Sequence, residues 1–187
     1  MDTIEQGNAS ASATTAMSMQ NQHSDQMEVR GRYHAELVRD GKVIWVEDFD
    51  NLVTTVGKND LLDKYLAGSA YTASFFMGLK GTGSAAAGDT QSSHAGWSEV
   101  GNANAPAYSG TRKTPAWSAA SAGSKTESAA SSFGFTSGGT VYGCFLNSGG
   151  TSAIDNTTGV LFSAGDFGAS RAVLTGDTLN VTYTLSV

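Results

Sequence analysis

The most regular alternation of apolar and polar residues begins at Glu28. From Val29 to Leu37, every second residue is apolar or small. The polar positions between them are Arg30, Arg32, His34 and Glu36. A period of two predicts a strand with one face in the core. Asp40-Gly41 then supplies the positive φ angles of a tight turn, so Lys42–Phe49 is predicted to return as the second strand of a hairpin.

One short helix is predicted after this hairpin. Asn59 is a plausible N-cap, and Asp60 and Asp63 suit the positive field at a helix N-terminus. Gly68 can end the helix as its C′ residue. The apolar stripe of this helix would be Leu61, Leu62, Tyr65 and Leu66. A helix of about two to three turns is expected to cover a sheet, with this stripe facing it.

Further strands are predicted from apolar runs between glycine-rich turns. Tyr71–Lys80 is apolar on both faces, which is typical of a central strand, and residues 82–130 are predicted to form long loops with short strands. The later strands are expected at Ser131–Thr136, Val141–Leu146, Val160–Ala164 and Arg171–Leu174. In the last strand, the residues expected to face inward are Leu179, Val181, Tyr183, Leu185 and Val187. The pattern predicts a mainly β protein: an antiparallel β-sandwich, of which the jelly roll is one form, with one short helix.

The domain organisation predicted from composition is an extended N-terminal arm, residues 1–27, followed by a sandwich domain, residues 28–187. The arm is rich in Ala, Ser, Thr, Gln and Asn and shows no apolar periodicity. Ordering it would cost on the order of 25–50 kcal/mol of backbone entropy, at about 1–2 kcal/mol per residue. We therefore expect a partner surface to bind it, and its extended reach of roughly 80 Å would span to a neighbouring subunit.

Charge and cysteine content limit the classes of partner. Eleven basic and 17 acidic residues give a net charge of −6, which does not suit a nucleic-acid partner, because phosphate contacts need clustered Lys and Arg. No apolar stretch approaches the roughly 20 residues of a membrane helix, and the N-terminal region lacks the features of a secretion signal. One cysteine, Cys144, forms no internal disulfide. These features favour a protein made in a reducing cytoplasm, with neither nucleic acid nor a membrane as partner.

The residues with potential chemistry lack the spacing of known sites. The three histidines, His23, His34 and His94, form no metal-binding pair, and Cys144 lies in an apolar strand, where a free thiol usually acts as a small hydrophobe. Gly123–Thr126 lacks the glycine that precedes the lysine of a phosphate-binding loop. The acidic cluster Glu47, Asp48 and Asp50 could bind calcium, but we favour solvated turn carboxylates. We assign no catalytic, cofactor-binding or metal-binding residue, and we expect no enzyme activity.

Four aromatic residues leave a second function open. They are Trp45, Trp97, Tyr108 and Trp117. On a β-sandwich such rings can stack on sugars, although filling the core or anchoring loops is the more common role and the one we favour. A glycan-degrading enzyme would also need two carboxylates about 5–10 Å apart in a cleft.

Three segments carry a resemblance to a known group of proteins. They are Leu52–Leu79, His94–Gly123 and Gly176–Val187. Over about residues 50–187 the chain resembles small structural proteins of tailed bacteriophages, which are usually head decoration or tail components. The resemblance implies no catalytic residues. It implies a virion protein, and we expect a capsid decoration, or cement, protein that binds the major capsid protein on the capsid exterior. We also expect association with other copies of itself and assembly in the cytoplasm of a bacterial host. The alternative is a tail adaptor or a fibre module that binds a host surface glycan.

Overall fold

The computed structural model describes residues 28–66 and 74–187, so the predicted N-terminal arm lies outside the described residues. Ten strands and one helix form in the described ranges. In chain order they are β1 Arg30–Arg39, β2 Lys42–Val53, α1 Thr55–Leu66, β3 Phe75–Lys80, β4 Glu99–Val100, β5 Ala116–Trp117, β6 Ser124–Ala129, β7 Ser131–Gly134, β8 Gly139–Ser148, β9 Val160–Val173 and β10 Thr178–Ser186.

The strands form one curled antiparallel sheet. Nine of them follow the order β4-β3-β8-β9-β2-β1-β10-β6-β5, and β7 also pairs with β10. The sheet folds over a main hydrophobic core, and Trp97, Phe145, Leu161 and Ala164 form a second, smaller cluster. Strand β2 belongs to both halves of the sheet. It pairs with β1 along most of its length and with β9 only at Leu52 and Val53. The predicted fold class, a mainly antiparallel β-sandwich with one helix, is confirmed.

The opening hairpin and the last strand form as their period of two predicts. Asp40 and Gly41 have φ values of 50° and 73°, as a tight turn requires. Tyr33 and Tyr183 lie opposite each other on β1 and β10, both fully buried, with ring centroids 4.8 Å apart. The inward prediction was wrong for Val187, which is exposed because β10 ends at Ser186 and Val187 follows it.

The helix begins one turn earlier than the sequence indicates. Thr54 is its N-cap, because its Oγ1 accepts a hydrogen bond from the N–H of Gly57 at 3.0 Å, and Asn59 lies inside the helix. Gly57 is needed because a Cβ there would lie 2.2 Å from the Phe162 carbonyl oxygen. The predicted inward stripe was also wrong. Leu61 packs against the core, whereas its other members, Leu62, Tyr65 and Leu66, are exposed. The predicted C′ residue, Gly68, lies outside the described residues.

Two other strand predictions change. Val160–Ala164 and Arg171–Leu174 are parts of the single strand β9, whose apolar pattern is interrupted where its pairing with β8 shifts between Val141 and Gly143. Tyr71–Lys80 was predicted as a central strand. Residues 71–73 lie outside the described residues, and β3 has the two-residue strand β4 on its outer side. Residues 82–130 form loops with short strands, as expected.

Candidate protein-binding surfaces

An exposed aliphatic patch lies at the turn end of the β1–β2 hairpin, and we call it the hairpin patch. Its members Val43, Ile44, Val46 and Leu174 are 52%, 48%, 50% and 54% exposed. Burying one such side chain stabilises a protein by about 1.5–3 kcal/mol, so four half-exposed aliphatic residues leave substantial apolar surface in contact with water. Groups of exposed apolar residues of this kind mark interaction sites.

A β-bulge explains why two consecutive residues of the patch are exposed. The pairing of β1 with β2 shifts between Leu37 and Val38, so that Leu37 lies opposite Trp45 and Val38 lies opposite Val43. Ile44 is the extra residue of the bulge. A bulge breaks the alternation of a strand and changes the direction of its side chains. Val43 and Ile44 are therefore both exposed to solvent.

An ion pair brings Leu174 to the same end of the sandwich. Arg39, the last residue of β1, donates hydrogen bonds from Nε and Nη2 to Asp177 at 2.8 and 2.6 Å. Asp177 in turn accepts the N–H of Leu174 at 2.8 Å. The hydrogen bonds from Arg39 lower the pKa of the Asp177 carboxyl. Because Arg39 pairs with Lys42 beside the hairpin turn, the ion pair ties the segment from Leu174 to Asp177 to this end of the sandwich.

The edge of β2 beside the patch lacks a second strand partner. Among the described residues, Lys42–Asn51 pairs with β1 alone. An edge strand presents unpaired N–H and C=O groups, which can bind a further strand, and charged side chains commonly protect such edges. Here acidic side chains protect the part of the edge at Glu47–Asp50. The part at Val43–Val46 is aliphatic or aromatic throughout. The unprotected part of the edge therefore coincides with the hairpin patch.

The inner side of this segment is well supported. The ring of Trp45 packs edge-on against Phe167 with centroids 5.0 Å apart, and the Arg171 guanidinium lies 4.5 Å from the centre of the same ring. Glu47 accepts a hydrogen bond from the N–H of Gly168 at 2.6 Å and lies 3.6 Å from Arg171. These contacts hold the backbone of β2 in place beneath the patch.

The acidic cluster is not in a turn, contrary to prediction. Glu47, Asp48 and Asp50 lie within β2, because this strand continues to Val53. Asp48 and Glu36 instead flank His34, at 3.0 Å from Nδ1 and 3.3 Å from Nε2, on the outer face of the sheet. The hydrogen bond with Asp48, followed by that with Glu36, raises the pKa of His34. His34 therefore takes part in hydrogen bonds on the surface of the sheet, and His23 lies outside the described residues.

A polar cleft of about 480 Å³ lies at the other side of the molecule, among the loops that follow β3 and β8. Its lining includes Gln91, Ser92, Ser93, His94, Trp97, Asn104, Asp155, Asn156 and Thr157. The His94 ring stacks on Trp97 with centroids 3.9 Å apart, and His94 Nδ1 donates to the Trp97 carbonyl at 3.0 Å. Trp97 itself is buried and donates from Nε1 to Asp89 at 2.9 Å. The cleft therefore presents an imidazole face, amides, hydroxyls and a carboxylate.

A buried ion pair fixes the loops around this cleft. Arg112 donates from Nε and Nη2 to the two oxygens of Glu99 at 2.8 and 2.7 Å, and both residues are buried. Arg112 Nη2 also donates to the Asn156 carbonyl at 2.7 Å, and Glu99 accepts the N–H of Asp155 at 2.9 Å. The single pair thus connects β4, the loop before β5 and the loop between β8 and β9.

A second ion pair lies beside the first. Lys80 is the strand partner of Glu99 and is fully buried. Its Nζ contacts Asp166 of β9 and lies 5.1 Å from the centre of the Trp97 ring. Sequence reasoning missed both pairs, because their members are far apart in the chain and no local pattern distinguishes them from surface charges.

Glu127 is a further buried acidic residue, and no basic side chain within residues 28–66 and 74–187 is its hydrogen-bond partner. It accepts hydrogen bonds from Ser131 Oγ at 3.0 Å and from the N–H of Tyr183 at 3.3 Å. Lys125, two residues earlier on β6, donates instead to the Ser118 carbonyl. Burial raises the pKa of Glu127 to about 7.

The remaining candidates for chemistry occupy structural positions. Cys144 is fully buried, and burial raises the pKa of its thiol. Residues 124–126 of the run that resembles a phosphate-binding loop belong to strand β6. Within residues 28–66 and 74–187, no group of three or more His, Cys, Asp or Glu residues is arranged to hold a metal ion. No helix of the described chain is long and apolar enough to cross a membrane.

The four aromatic candidates mainly fill the core or anchor loops, the role we favoured. Trp97 and Tyr108 are buried, and Trp45 packs against Phe167. Trp117 is partly buried, with its ring against those of Phe75 and Tyr183 at 5.7 and 6.2 Å between centroids. No protein-family model matches the chain. The search of curated proteins likewise returns no match.

Proposed function

We propose that this chain is a capsid decoration protein of a tailed bacteriophage, which binds the outside of the major capsid protein shell and stabilises it. The observation that carries the proposal is the hairpin patch, because exposed aliphatic residues on a firmly supported strand suit contact with other protein subunits. The sequence resemblance to phage structural proteins supplies the setting.

Charge and architecture support the same proposal. A net charge of −6 suits a position outside the shell, away from packaged DNA. The outer face of β1 carries the ion-paired groups around His34 rather than a basic surface. On a symmetric lattice, many individually weak contacts by a small sandwich add up to a large total stabilisation.

The test compares phage particles with and without the protein. A decoration protein stabilises the shell only by binding its assembled form, so particles without it should assemble and package DNA but release the DNA at a lower temperature. Dye access to DNA during heating measures the release temperature. Adding back the purified protein should restore the temperature of complete particles, and adding heat-denatured protein is the control. Unchanged release temperatures, together with heads that lack tails, would contradict the proposal.

The polar cleft supports a second candidate, a tail adaptor or fibre module that binds a host surface glycan. Its imidazole face, amides and hydroxyls are groups that bind sugars. Titration with oligosaccharides from the host surface, followed by tryptophan fluorescence, tests this candidate. His94→Ala should abolish the fluorescence change, whereas His34→Ala, on the distant outer face, should not. Saturable binding that depends on His94 would favour the tail function.

A further inference from the structure

The buried amine of Lys80 faces a carboxyl group on another strand, in a site where the two can react with each other. We propose that, once the chain has folded, Lys80 and Asp166 condense to an isopeptide bond between Nζ and Cγ. This bond would link β3 covalently to β9. The modification lies within the sandwich itself, so it depends neither on the proposed function nor on a capsid.

The register of three neighbouring strands brings the two side chains together. Lys80 of β3 lies opposite Gly143 of β8, and Gly143 lies opposite Asp166 of β9. Residues in register project to the same face of a sheet, and two strand spacings amount to roughly 10 Å. Lys80 and Asp166 span this distance by extending towards each other. A Cβ at Gly143 would lie 3.0 Å from the Asp166 Cα, so glycine leaves the space between them open.

The neighbours of Lys80 hold its amine against this one carboxyl group. The side chain is fully buried, and its Nζ contacts Asp166 and donates to the Gly83 carbonyl oxygen at 3.2 Å. Glu99, the partner of Lys80 on β4, is bound through both carboxylate oxygens by Arg112. Asp166 is therefore the carboxylate, within the described residues, that contacts the amine. Holding two reacting groups together in this way gives them a high effective concentration.

The carboxyl group of Asp166 has different contacts at its two oxygens. Its Oδ1 contacts the Lys80 Nζ, and its Oδ2 accepts a hydrogen bond from the N–H of Ala85 at 3.4 Å. A proton that passes from Nζ to Oδ1 replaces two charges with a neutral amine and a neutral acid, which a buried amine favours. The amine can then attack Cγ. The N–H of Ala85 donates to the negative charge that develops on Oδ2.

The condensation balances without a co-reactant. The bond between Nζ and Cγ forms, and the bond between Cγ and Oδ1 breaks. Of the three protons of the ammonium group, two leave with Oδ1 as water and one remains on the amide nitrogen. The side chain of Asp166 is 36% exposed, so the water that forms can leave the site.

Intact-mass spectrometry of the purified full-length chain tests the proposal. We expect a mass that is lower than the sequence mass by one water molecule. Lys80→Arg keeps a cation at this position but cannot form the amide, so this variant should have its full sequence mass. Asp166→Ala, at a partly exposed position, should give the same result if Lys80→Arg does not fold. The matched control Lys58→Arg, at an exposed position on the helix, should still lack one water. A full sequence mass for the original chain would overturn the proposal.

Trypsin digestion of the denatured chain locates the missing water. The amide blocks cleavage after Lys80, so residues 65–112 and 126–171 should be recovered as one branched peptide. Fragmentation of this peptide should place the link between Lys80 and Asp166. A succinimide at Asp40 would also remove one water, but it would leave Lys80 open to trypsin. That outcome, or a link to a different carboxyl group, would overturn the proposal.

The link should also be visible in the migration of the denatured chain. It closes residues 80–166 into a covalent loop, which keeps the denatured chain more compact. On a denaturing gel, we expect the original chain and Lys58→Arg to migrate together, ahead of Asp166→Ala. Equal migration of all three proteins would refute the proposal.

Discussion

Replacing the buried carboxyl of Glu127 with an amide should change the pH dependence of stability. The pKa of Glu127 rises from its ordinary value of 4.5 to about 7 because the side chain is buried. The folded chain therefore holds this proton more tightly than the unfolded chain does. At a pH between these two pKa values, Glu127 is protonated in the folded protein and ionised in the unfolded protein.

The sign of the effect follows from this difference in proton binding. The contribution of Glu127 to the free energy of unfolding is most favourable below pH 4.5 and is lost as the pH rises through about 7. Each tenfold change in proton affinity is worth about 1.4 kcal/mol, so the rise in the pKa of Glu127 sets an upper limit of about 3.5 kcal/mol. Water that reaches part of the carboxyl group reduces this effect. We therefore expect ionisation of Glu127 to lower the free energy of unfolding by roughly 2 kcal/mol.

Glu127→Gln imitates the protonated acid. Its Nε2 can donate to Ser131 Oγ, and its Oε1 can accept the N–H of Tyr183, so both hydrogen-bond partners are retained. The variant should be as stable as the original chain near pH 5 and about 2 kcal/mol more stable at pH 8. Urea unfolding at several pH values between 5 and 8 measures both quantities.

Asp63→Asn is the matched control, because Asp63 is exposed on the helix. It should leave the pH dependence between 5 and 8 unchanged. A free energy of unfolding that rises with pH in the original chain, or a Glu127→Gln variant that is less stable at pH 8, would refute the reasoning. Either result would mean that the folded state does not disfavour the ionised carboxyl.

Two further substitutions test the packing. Arg112→Met leaves Glu99 buried without its counter-ion, so we expect a loss of about 3–5 kcal/mol in urea unfolding, against less than about 1 kcal/mol for the exposed Lys58→Met. A loss equal to that of the control would show that the pair does not hold the loops. Gly57→Ala places a Cβ against the Phe162 carbonyl and should cost about 1–3 kcal/mol in thermal unfolding, whereas Gly88→Ala, with open space around it, should cost far less. Equal costs would mean that the helix can shift.

The strands that the sequence predicted best are those with one buried face. β1 and β10 alternate strictly because each covers the core on one side and faces solvent on the other, and that arrangement is visible in the order of residues. The start of α1 was not visible in the same way. Thr54 acts as N-cap only because Gly57 fits against Phe162, a contact across more than a hundred residues of chain.

The candidate sites depended still more on tertiary structure. Val43–Val46 looked like an ordinary strand segment, and only the pairing shift between Leu37 and Val38 shows why the consecutive residues Val43 and Ile44 are both exposed. Glu99 and Arg112 looked like loop charges, although burial makes them the connection between three segments. The pattern of apolar and polar residues identified the class of fold, but these contacts are not encoded within any local stretch.

The distribution of buried charge and exposed aliphatic surface separates two sides of the sandwich. On the loop side, the pairs Glu99–Arg112 and Lys80–Asp166 fix the backbone. On the hairpin side, the chain leaves aliphatic side chains in water, which forgoes stabilisation that burial would supply. Under the proposed function that stabilisation is recovered on assembly, when another protein subunit covers the patch. Association and the stability of each subunit would then be coupled, so a subunit on a full lattice should resist unfolding better than the same subunit in dilute solution.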